Sequence, residues 1–353
     1  MMKISSSNIL INMKNYKMNY FNLMFYMILI MSTLITINSS SWLNAWIGLE
    51  INLLSFIPLL MNFSKKIKSS NSMMIYFIVQ SASSSILISS FLISNIENNF
   101  FKMNLFMNLI QLSILMKLGM IPFHWWTPKM IINLNWMNTF MFLTWQKIGP
   151  MYLMLMTNFN NMIYFSVIMS MVISTLLGMN QSSLKLILMY SSINHMSWMM
   201  VIIFLNNTIF LIYLSIYSMI NFMICLMLMY FNINYINQLF KNNNQKFNSK
   251  IIMISLFLSL GGLPPLLGFL PKFISLMIMM KSSMIIESML FIMTSILSLS
   301  FYMNPLLSIF LNMKTFNKWI LKKFFINKLM FNILILNLII ILIIYTSMFN
   351  LNI

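Results

Sequence analysis

The chain of 353 residues is 60% hydrophobic and 7% charged, with a mean hydropathy of +0.86. Because soluble domains carry about 25% charged residues, this composition excludes a soluble enzyme and predicts one polytopic membrane unit surrounded by lipid. The formal charge of +18 predicts no nucleic-acid partner, since the lysines lie mostly between apolar segments, where the positive-inside rule accounts for them.

Eleven segments are apolar over the roughly 20 residues that a helix needs to cross a bilayer. They predict an all-α fold with spans at 20–38, 42–62, 73–94, 103–132, 136–157, 162–179, 187–205, 208–230, 250–280, 288–311 and 330–349. When these spans alternate, most of the 21 lysines fall on the side of the N-terminus, which predicts an N-terminus inside and a C-terminus outside. Residues 1–19 form a polar segment without a cleavage site, in which Met1 and Met18 are both candidate starts.

Two of these spans, the fourth and the ninth, are long and are interrupted by glycine and proline. The interruptions read LGMIPFHWWTPK at 118–129 and LGGLPPLLGFLPK at 260–272. With one extra residue in the second, the aligned positions are Leu118 with Leu260, Gly119 with Gly261, Pro122 with Pro264, Pro128 with Pro271 and Lys129 with Lys272. Since proline removes a helix hydrogen bond, each interruption is expected to unwind its helix.

The two interruptions lie five spans apart, which gives the halves that contain them opposite orientations. We predict a first half at 20–157, an inverted second half at 162–311, and a basic loop with a final span at 312–353. Paired interrupted helices in inverted halves indicate a transport site near the middle of the membrane. Two ordinary proline kinks are the alternative.

Three ionisable residues lie inside apolar runs, where a charge costs about 2.5–3.5 kcal/mol on insertion scales. Glu50, Lys117 and Lys147 are therefore predicted to carry protons or ions. Glu50 is expected to pair with Lys117, because an unpaired buried carboxylate is unfavourable. Gly149 and Pro150 are expected to loosen the helix after Lys147 and to free carbonyls for water. The alternatives are a snorkelling Lys117 and a static ion pair at Glu50.

His195 lies within the seventh span, and imidazole titrates near neutrality, which suits a proton relay. Its polar neighbours Ser191, Ser192 and Asn194 are expected to supply hydrogen bonds or to hold water. A structural histidine is the alternative. Lys272, which follows the second interruption, is either a relay group or an interfacial anchor.

The sequence has no pattern that predicts a metal or redox centre. Cys225 is the single cysteine, and His124 lies far from His195 in sequence, so no metal-ligand spacing occurs. We find no P-loop, dinucleotide-binding glycine motif or iron–sulfur cysteine set. We therefore predict no metal and no cofactor in this chain, and any electron transfer must take place on other chains. His124 is expected to hydrogen-bond the unwound backbone of the first interruption.

Five motifs carry a resemblance to a known family. In chain order they are SWLNAWIGLEINLLSFIPLL, LMKLGMIPFHWWTPK, WMNTFMFLTWQKIGP, NQSSLKLILMYSSINHMSW and SLGGLPPLLGFLPKF. Together they resemble the subunit 2 family of mitochondrial NADH–ubiquinone oxidoreductase (respiratory complex I), most closely its insect forms. The resemblance extends over about residues 18–350.

The resemblance implies an antiporter-like subunit with eleven spans and inverted five-helix repeats that contributes to proton pumping. It places FMN, the iron–sulfur clusters, NADH and ubiquinone on other subunits. The implied partners are other complex I subunits, especially neighbouring antiporter-like membrane subunits. The implied location is the mitochondrial inner membrane, with the N-terminus in the matrix and the C-terminus in the intermembrane space.

The resemblance also implies roles for particular residues. Proton-transfer candidates match the family motifs at Glu50, Lys117, Lys147, His195 and Lys272. Where the family commonly carries Arg-Lys, this chain has Lys185-Leu186, so no role is implied for the leucine. A free-standing cation/proton antiporter and a purely structural membrane subunit are the alternative functions.

Overall fold

The computed structural model describes residues 20–61, 66–96, 100–241, 247–264 and 266–314. Within those ranges the chain forms fourteen α-helices, and its only β pairing is an isolated bridge between Ser183 and Tyr235. The helices are α1 (Tyr20–Ile37), α2 (Trp42–Leu60), α3 (Lys66–Ile96), α4 (Phe100–Leu118), α5 (Trp126–Ile131), α6 (Trp136–Leu143), α7 (Trp145–Leu155), α8 (Asn161–Met179), α9 (Leu184–Leu205), α10 (Asn207–Phe231), α11 (Ile236–Lys241), α12 (Phe247–Gly261), α13 (Phe269–Lys281) and α14 (Ile285–Lys314).

Seven of the described helices, α1, α2, α3, α8, α9, α10 and α14, are long and apolar enough to cross a membrane. Each coincides with a predicted span. Three further predicted spans are each divided between two shorter helices, namely α4 with α5, α6 with α7, and α12 with α13. The all-α membrane fold is therefore confirmed, whereas the exact count of eleven spans stays a prediction. The polar segment at 1–19 and the last predicted span at 330–349 lie outside the described residues.

The first predicted interruption is present between α4 and α5. Helix α4 ends at Leu118, and Gly119 adopts the left-handed conformation with φ +68°. The Met120 amide donates to the Leu115 carbonyl at 3.2 Å. A left-handed glycine, followed by an amide that donates back across the last helical turn, forms the Schellman motif that ends many helices. The glycine is needed there because other residues adopt a positive φ only at a cost.

The second interruption repeats this geometry between α12 and α13. Gly262 has φ +80°, and the Leu263 amide donates to the Leu258 carbonyl at 3.3 Å. The left-handed glycines therefore make Gly262, and not Gly261, the counterpart of Gly119. This corrects the sequence alignment and removes its extra residue. The corrected pairs are Gly119 with Gly262, Pro122 with Pro265, Pro128 with Pro271 and Lys129 with Lys272.

A third irregularity separates α6 from α7. It lies at Thr144, which has φ −120° and ψ −68°, so the expected loosening after Lys147 was misplaced. The Thr144 hydroxyl donates to the Phe140 carbonyl at 2.8 Å, which is the type of side-chain bond that competes with the helix ladder. Pro150 stays inside α7. Lys147 consequently lies in the first turn of a new helix.

Helix α9 lies at the centre of the described bundle, because 94% of its most apolar stretch is buried. Its hydroxyls are satisfied within the helix: Ser191 donates to the Leu188 carbonyl at 2.8 Å and Ser192 to the Met189 carbonyl at 2.7 Å. Self-satisfied polar groups are tolerated where no water is available. The centre of the bundle can therefore hold polar side chains, and α9 brings His195 to it.

Candidate functional site

Lys117 and Lys147 line one narrow, partly open cavity. Lys117 is in the last turn of α4 and Lys147 in the first turn of α7, and their side chains are only 7% and 6% exposed. Among the described residues, the buried Lys147 ammonium has no hydrogen-bond partner. This burial rules out the snorkelling alternative for Lys117. It also confirms that both lysines are interior residues.

Neutral polar side chains complete the wall of this cavity. Gln146 Nε2 donates to Asn52 Oδ1 at 2.8 Å, and the Tyr76 hydroxyl donates to Gln146 Oε1 at 3.2 Å. Gln80 Nε2 donates to the Lys117 carbonyl at 3.3 Å, at the end of α4. These bonds join helices α2, α3, α4 and α7 around the cavity. These neutral groups were not predicted, because only ionisable residues stand out strongly in an apolar sequence; an amide within an apolar run is nevertheless a usable signal.

Glu50 lies beside the cavity on α2, and its charge acts on both Lys117 and Tyr76. Its Oε1 atom is buried and accepts no hydrogen bond within the described part of the chain. The expected pairing with Lys117 is therefore an interaction across a gap. A gap lowers the Coulomb energy below the about 4 kcal/mol that two charges share at 4 Å with an effective dielectric of 20.

A second cavity, of about 230 Å³, connects Lys147 with the environment of His195. Its wall includes Tyr217, whose ring centroid lies 5.0 Å from that of His195. His195 is 6% exposed, and its Nδ1 is 2.9 Å from the Tyr213 hydroxyl. The charges of Lys147 and Lys272 both act on His195. His195 therefore lies within electrostatic range of both lysines.

The expected polar neighbours of His195 do not bind it. Ser191 and Ser192 donate to their own helix, and Asn194 Oδ1 is buried without a hydrogen-bond partner. Ser191 and Ser192 lie on the same face of α9 as His195, four and three positions before it, but their hydroxyls are used by carbonyls of their own helix, and the partner of His195 is Tyr213 on α10.

Lys272 belongs to the protein interior. Its side chain is 5% exposed, and its ammonium donates to the Gly261 carbonyl at 2.9 Å. That carbonyl is at the C-terminal end of α12, where the ladder of helix hydrogen bonds stops. The interfacial-anchor alternative is therefore wrong. The second interruption creates an acceptor, and the buried lysine occupies it.

Two other residues of the first interruption are His124, which differs from its prediction, and Lys129, which differs from Lys272 at the matching position. The His124 Nδ1 atom is buried without a partner. Instead, the His124 carbonyl accepts bonds from the Thr127 amide at 3.1 Å and the Thr127 hydroxyl at 2.8 Å, so the predicted role of the imidazole was wrong. Lys129 is exposed, with its ammonium 5.7 Å from the centroid of the Trp125 ring.

These residues form one series of basic groups through the described bundle. Lys117 and Lys147 share a cavity, the second cavity leads from Lys147 towards His195, and His195 interacts with Lys272. Lysine and histidine exchange protons without other bonds being made or broken. Among the described residues, no group of three or more His, Cys, Asp or Glu side chains could hold a metal ion.

Comparison with known proteins identifies the family of the chain. Residues 39–298 match the model of the transmembrane family described as NADH:quinone oxidoreductase/Mrp antiporter. NADH-ubiquinone oxidoreductase chain 2 of Anopheles gambiae is 38% identical over 304 residues, which are 85% of this chain and 89% of the relative. This chain belongs to the NADH-ubiquinone oxidoreductase chain 2 family. The chain 2 protein of Locusta migratoria is 35% identical over 86% of this chain and 89% of its own length. The resemblance found in the motifs is thus confirmed.

Solved structures share the fold of this chain. A chain of respiratory complex I from Thermus thermophilus superposes with a TM-score of 0.75 at 19% identity, over 82% of this chain and 71% of that one. A chain of the membrane-bound sulfane sulfur reductase, an archaeal respiratory membrane complex, gives a TM-score of 0.76 at 14% identity, over 92% and 73%. The described helices and the chain 2 relatives together identify a multi-pass mitochondrial membrane protein.

Proposed function

We propose that this chain is a core membrane-arm subunit of respiratory complex I that contributes to proton translocation across the inner mitochondrial membrane. NADH oxidation and ubiquinone reduction take place elsewhere in the complex, on subunits that hold FMN and iron–sulfur clusters. The observation that carries the proposal is a set of four buried basic residues, Lys117, Lys147, His195 and Lys272. Lys117 and Lys147 line one cavity, a second cavity extends from Lys147 to Tyr217 beside His195, and the charges of Lys147 and Lys272 act on His195. Its partners are the other complex I subunits, including antiporter-like neighbours.

Glu50 controls the first step of the proposed mechanism. Its carboxylate favours a proton on Lys117, because the two charges attract across the gap between them. A conformational or electrostatic signal that draws Glu50 away weakens this attraction and favours release of the proton. A change of about 1.4 kcal/mol in this attraction changes the proton-binding equilibrium of Lys117 tenfold.

Lys147 receives the proton across the shared cavity and passes it onward. Its ammonium has no hydrogen-bond partner in the described structure, so little opposes its release. The second cavity and His195 then connect it with Lys272, whose ammonium is held by the Gly261 carbonyl. In this series Lys117 takes up the proton, Lys147 has an ammonium without a partner among the described residues, and Lys272 has an ammonium bonded to a carbonyl.

The orientation follows from the positive-inside rule. The N-terminus lies in the matrix and the C-terminus in the intermembrane space, because most lysines then face the matrix. The halves at 20–157 and 162–311 are inverted repeats. The shared geometry of Gly119 and Gly262 supports this repeat.

Lys147→Met in the assembled complex tests the function. Methionine fills a similar volume and removes an unpaired buried charge, so assembly is expected to survive. We expect protons translocated per NADH oxidised, measured in proteoliposomes, to fall, or turnover to stop. Lys281→Met is the control, because this lysine is exposed at the end of α13. Unchanged pumping in Lys147→Met would refute the proposal, and loss of assembly would support a structural subunit.

The match to a family that includes the Mrp antiporters favours a second candidate, a free-standing cation/proton antiporter. Native electrophoresis of gently solubilised mitochondrial membranes, with NADH-dehydrogenase staining, separates the two. Peptides of this chain in the large active band support the complex I subunit. Their presence only in a small inactive particle would favour the antiporter.

A further inference from the structure

Helix α7 starts after the break at Thr144, so contacts with other helices are needed to fix the position of its first turn. Thr144 departs from helical geometry, with φ −120° and ψ −68°, and its hydroxyl donates to the Phe140 carbonyl at 2.8 Å. The Lys147 amide reaches only three residues back, to the Thr144 carbonyl at 3.2 Å. The first amides of a helix lack partners within it, which leaves this turn dependent on side-chain bonds.

Gln146 supplies such bonds from the first turn of α7. Its Nε2 donates to Asn52 Oδ1 on α2 at 2.8 Å, and its Oε1 accepts from the Tyr76 hydroxyl on α3 at 3.2 Å. Both distances lie within the usual range for hydrogen bonds to oxygen or close to it. The two partners are interior residues, with Asn52 3% and Tyr76 2% exposed. One side chain thus ties the start of α7 to two other helices.

Lys147, the next residue along the chain, borders both cavities. Among the described residues that line the first cavity or the second, Lys147 is the one that lines both. Its ammonium has no hydrogen-bond partner in the described part of the chain. An ammonium without a bond of its own is placed by the backbone that carries it, and the bonds of Gln146 hold that backbone.

We propose that Gln146 is a positioning residue that keeps the Lys147 ammonium at the boundary of the two cavities. This inference rests on the proposed function, in which Lys147 receives a proton from the side of Lys117 and passes it towards His195. Proton transfer requires a close approach of donor and acceptor, and a misplacement of about 1 Å can slow a reaction about a hundredfold. A shifted first turn would withdraw the ammonium from one cavity and interrupt the path there.

Two variants remove the shorter bond from its opposite ends. Gln146→Met keeps a side chain of similar length and loses both hydrogen bonds, whereas Asn52→Leu removes the acceptor on α2 and leaves α7 unaltered. Because the two residues act through one bond, their effects are not expected to add. The double variant should therefore lose no more than Gln146→Met alone.

Gln111→Met is the matched control. Gln111 is also a buried glutamine, and its Nε2 makes a short bond to a distant part of the chain, the Asn158 carbonyl at 2.7 Å. It lines neither cavity. A loss that follows from the removal of any buried amide would appear in this variant as well.

The measurement is the rate of proton translocation as a function of pH, in proteoliposomes that hold the purified complex and oxidise NADH. Each rate is normalised to the amount of assembled complex. We expect Gln146→Met and Asn52→Leu to slow translocation by about tenfold to a hundredfold. Both should shift the pH profile in the same direction, because both displace the same ammonium, whereas Gln111→Met should keep the rate and the profile of the wild type.

Wild-type translocation by Gln146→Met overturns the inference, as does an equal effect in Gln111→Met. A slower rate with a pH profile that Gln146→Met and Asn52→Leu do not shift together overturns it too, because a bond that only stabilises the fold has that result. Should Gln146→Met fail to assemble, Asn52→Leu decides alone. Should both fail, Tyr76→Phe decides, since it keeps the ring and removes only the bond of 3.2 Å.

Lys147→Met separates this result from the proposed function. If Lys147→Met loses pumping while Gln146→Met pumps normally, proton translocation through the lysine stands and only the positioning role of Gln146 falls. Normal pumping by Lys147→Met refutes the proposed function itself.

Discussion

Gly262→Ala is expected to displace Lys272 from the second interruption. Gly262 has φ +80°, and a Cβ atom on it would lie 2.9 Å from Lys272 Cδ, 3.1 Å from Nζ and 3.3 Å from Cε. Such contacts are too short for carbon and nitrogen atoms, so the lysine side chain must move. Its ammonium would then leave the Gly261 carbonyl, which it now meets at 2.9 Å.

Two energies set the size of the effect. An alanine in the left-handed conformation costs about 1–2 kcal/mol, which lowers the stability of the interruption. Loss of a hydrogen bond by a charged group costs about 1.5–3 kcal/mol. The second figure lowers the docked population of Lys272 by about tenfold to a hundredfold. Proton transfer at this lysine should suffer accordingly.

Gly119→Ala provides the comparison for backbone strain. Gly119 has φ +68°, but a Cβ there would collide with Thr127, and no lysine lies among its nearest atoms. Both variants are expected to lower the thermal stability of the purified complex by similar amounts. Only Gly262→Ala should lower the protons translocated per NADH oxidised through Lys272. Each rate is normalised to the amount of complex that native electrophoresis detects.

Full pumping by Gly262→Ala, together with reduced stability, would refute this reasoning. It would mean that the Lys272 bond to the carbonyl is dispensable and that the glycine serves the backbone alone. A Gly262→Ala complex as stable as the wild type would refute the strain argument instead.

Three further changes test other contacts. Tyr213→Phe leaves Nδ1 of His195 buried without its partner, so the complex should lose about 1–3 kcal/mol, read from its melting temperature. Glu50→Gln keeps the shape and removes the charge that acts on Lys117; assembly should persist while NADH-driven pumping slows, and unaltered pumping would exclude the carboxylate from the mechanism. Lys129→Met loses the exposed cation–π contact with the neighbouring tryptophan, worth about 0.5–1 kcal/mol, and should pump at the normal rate.

Apolar length predicted the helices well, because about 20 apolar residues at a stretch leave a membrane chain few alternatives to a helix. The two interruptions were predictable because glycine and proline disturb a helix. The break at Thr144 was not, because it depends on a hydroxyl bond to the Phe140 carbonyl and not on a helix-breaking residue. Gly149 and Pro150 attracted the prediction, yet the helix accommodates both.

The ionisable members of the site were found from the sequence, whereas their partners were not. A charge within an apolar run stands out because of its cost. A tyrosine or an amide carries a smaller cost and leaves a weaker signal, so Tyr76, Gln80 and Gln146 were missed. The partner of His195 is Tyr213 on the following helix. Ser192, on the same helix face, gave no guide to it, because its hydroxyl bonds a carbonyl of its own helix and a tyrosine on another helix leaves no mark in the sequence around the histidine.

Each of the two interruptions brings a buried lysine to the end of a half-helix, but from a different position in the sequence. In the first, Lys117 precedes the left-handed glycine and lies in the last turn of α4. In the second, Lys272 follows the glycine and reaches back to the carbonyl that ends α12. Lys117 therefore belongs to the last turn of a half-helix, and the Lys272 ammonium meets the carbonyl that ends one, where unpaired carbonyls and the helix dipole favour a cation.

At each of these helix ends, a carbonyl without a helix partner accepts a hydrogen bond from a side chain. Gln80, a neutral donor, bonds the Lys117 carbonyl, whereas the ammonium itself bonds the Gly261 carbonyl in the second interruption. Lys129, the positional counterpart of Lys272, is left exposed. Aligning lysine with lysine therefore pairs a surface residue with a buried one. In each interruption the buried lysine is therefore the one associated with the end of the half-helix, and its place in the sequence relative to the glycine differs.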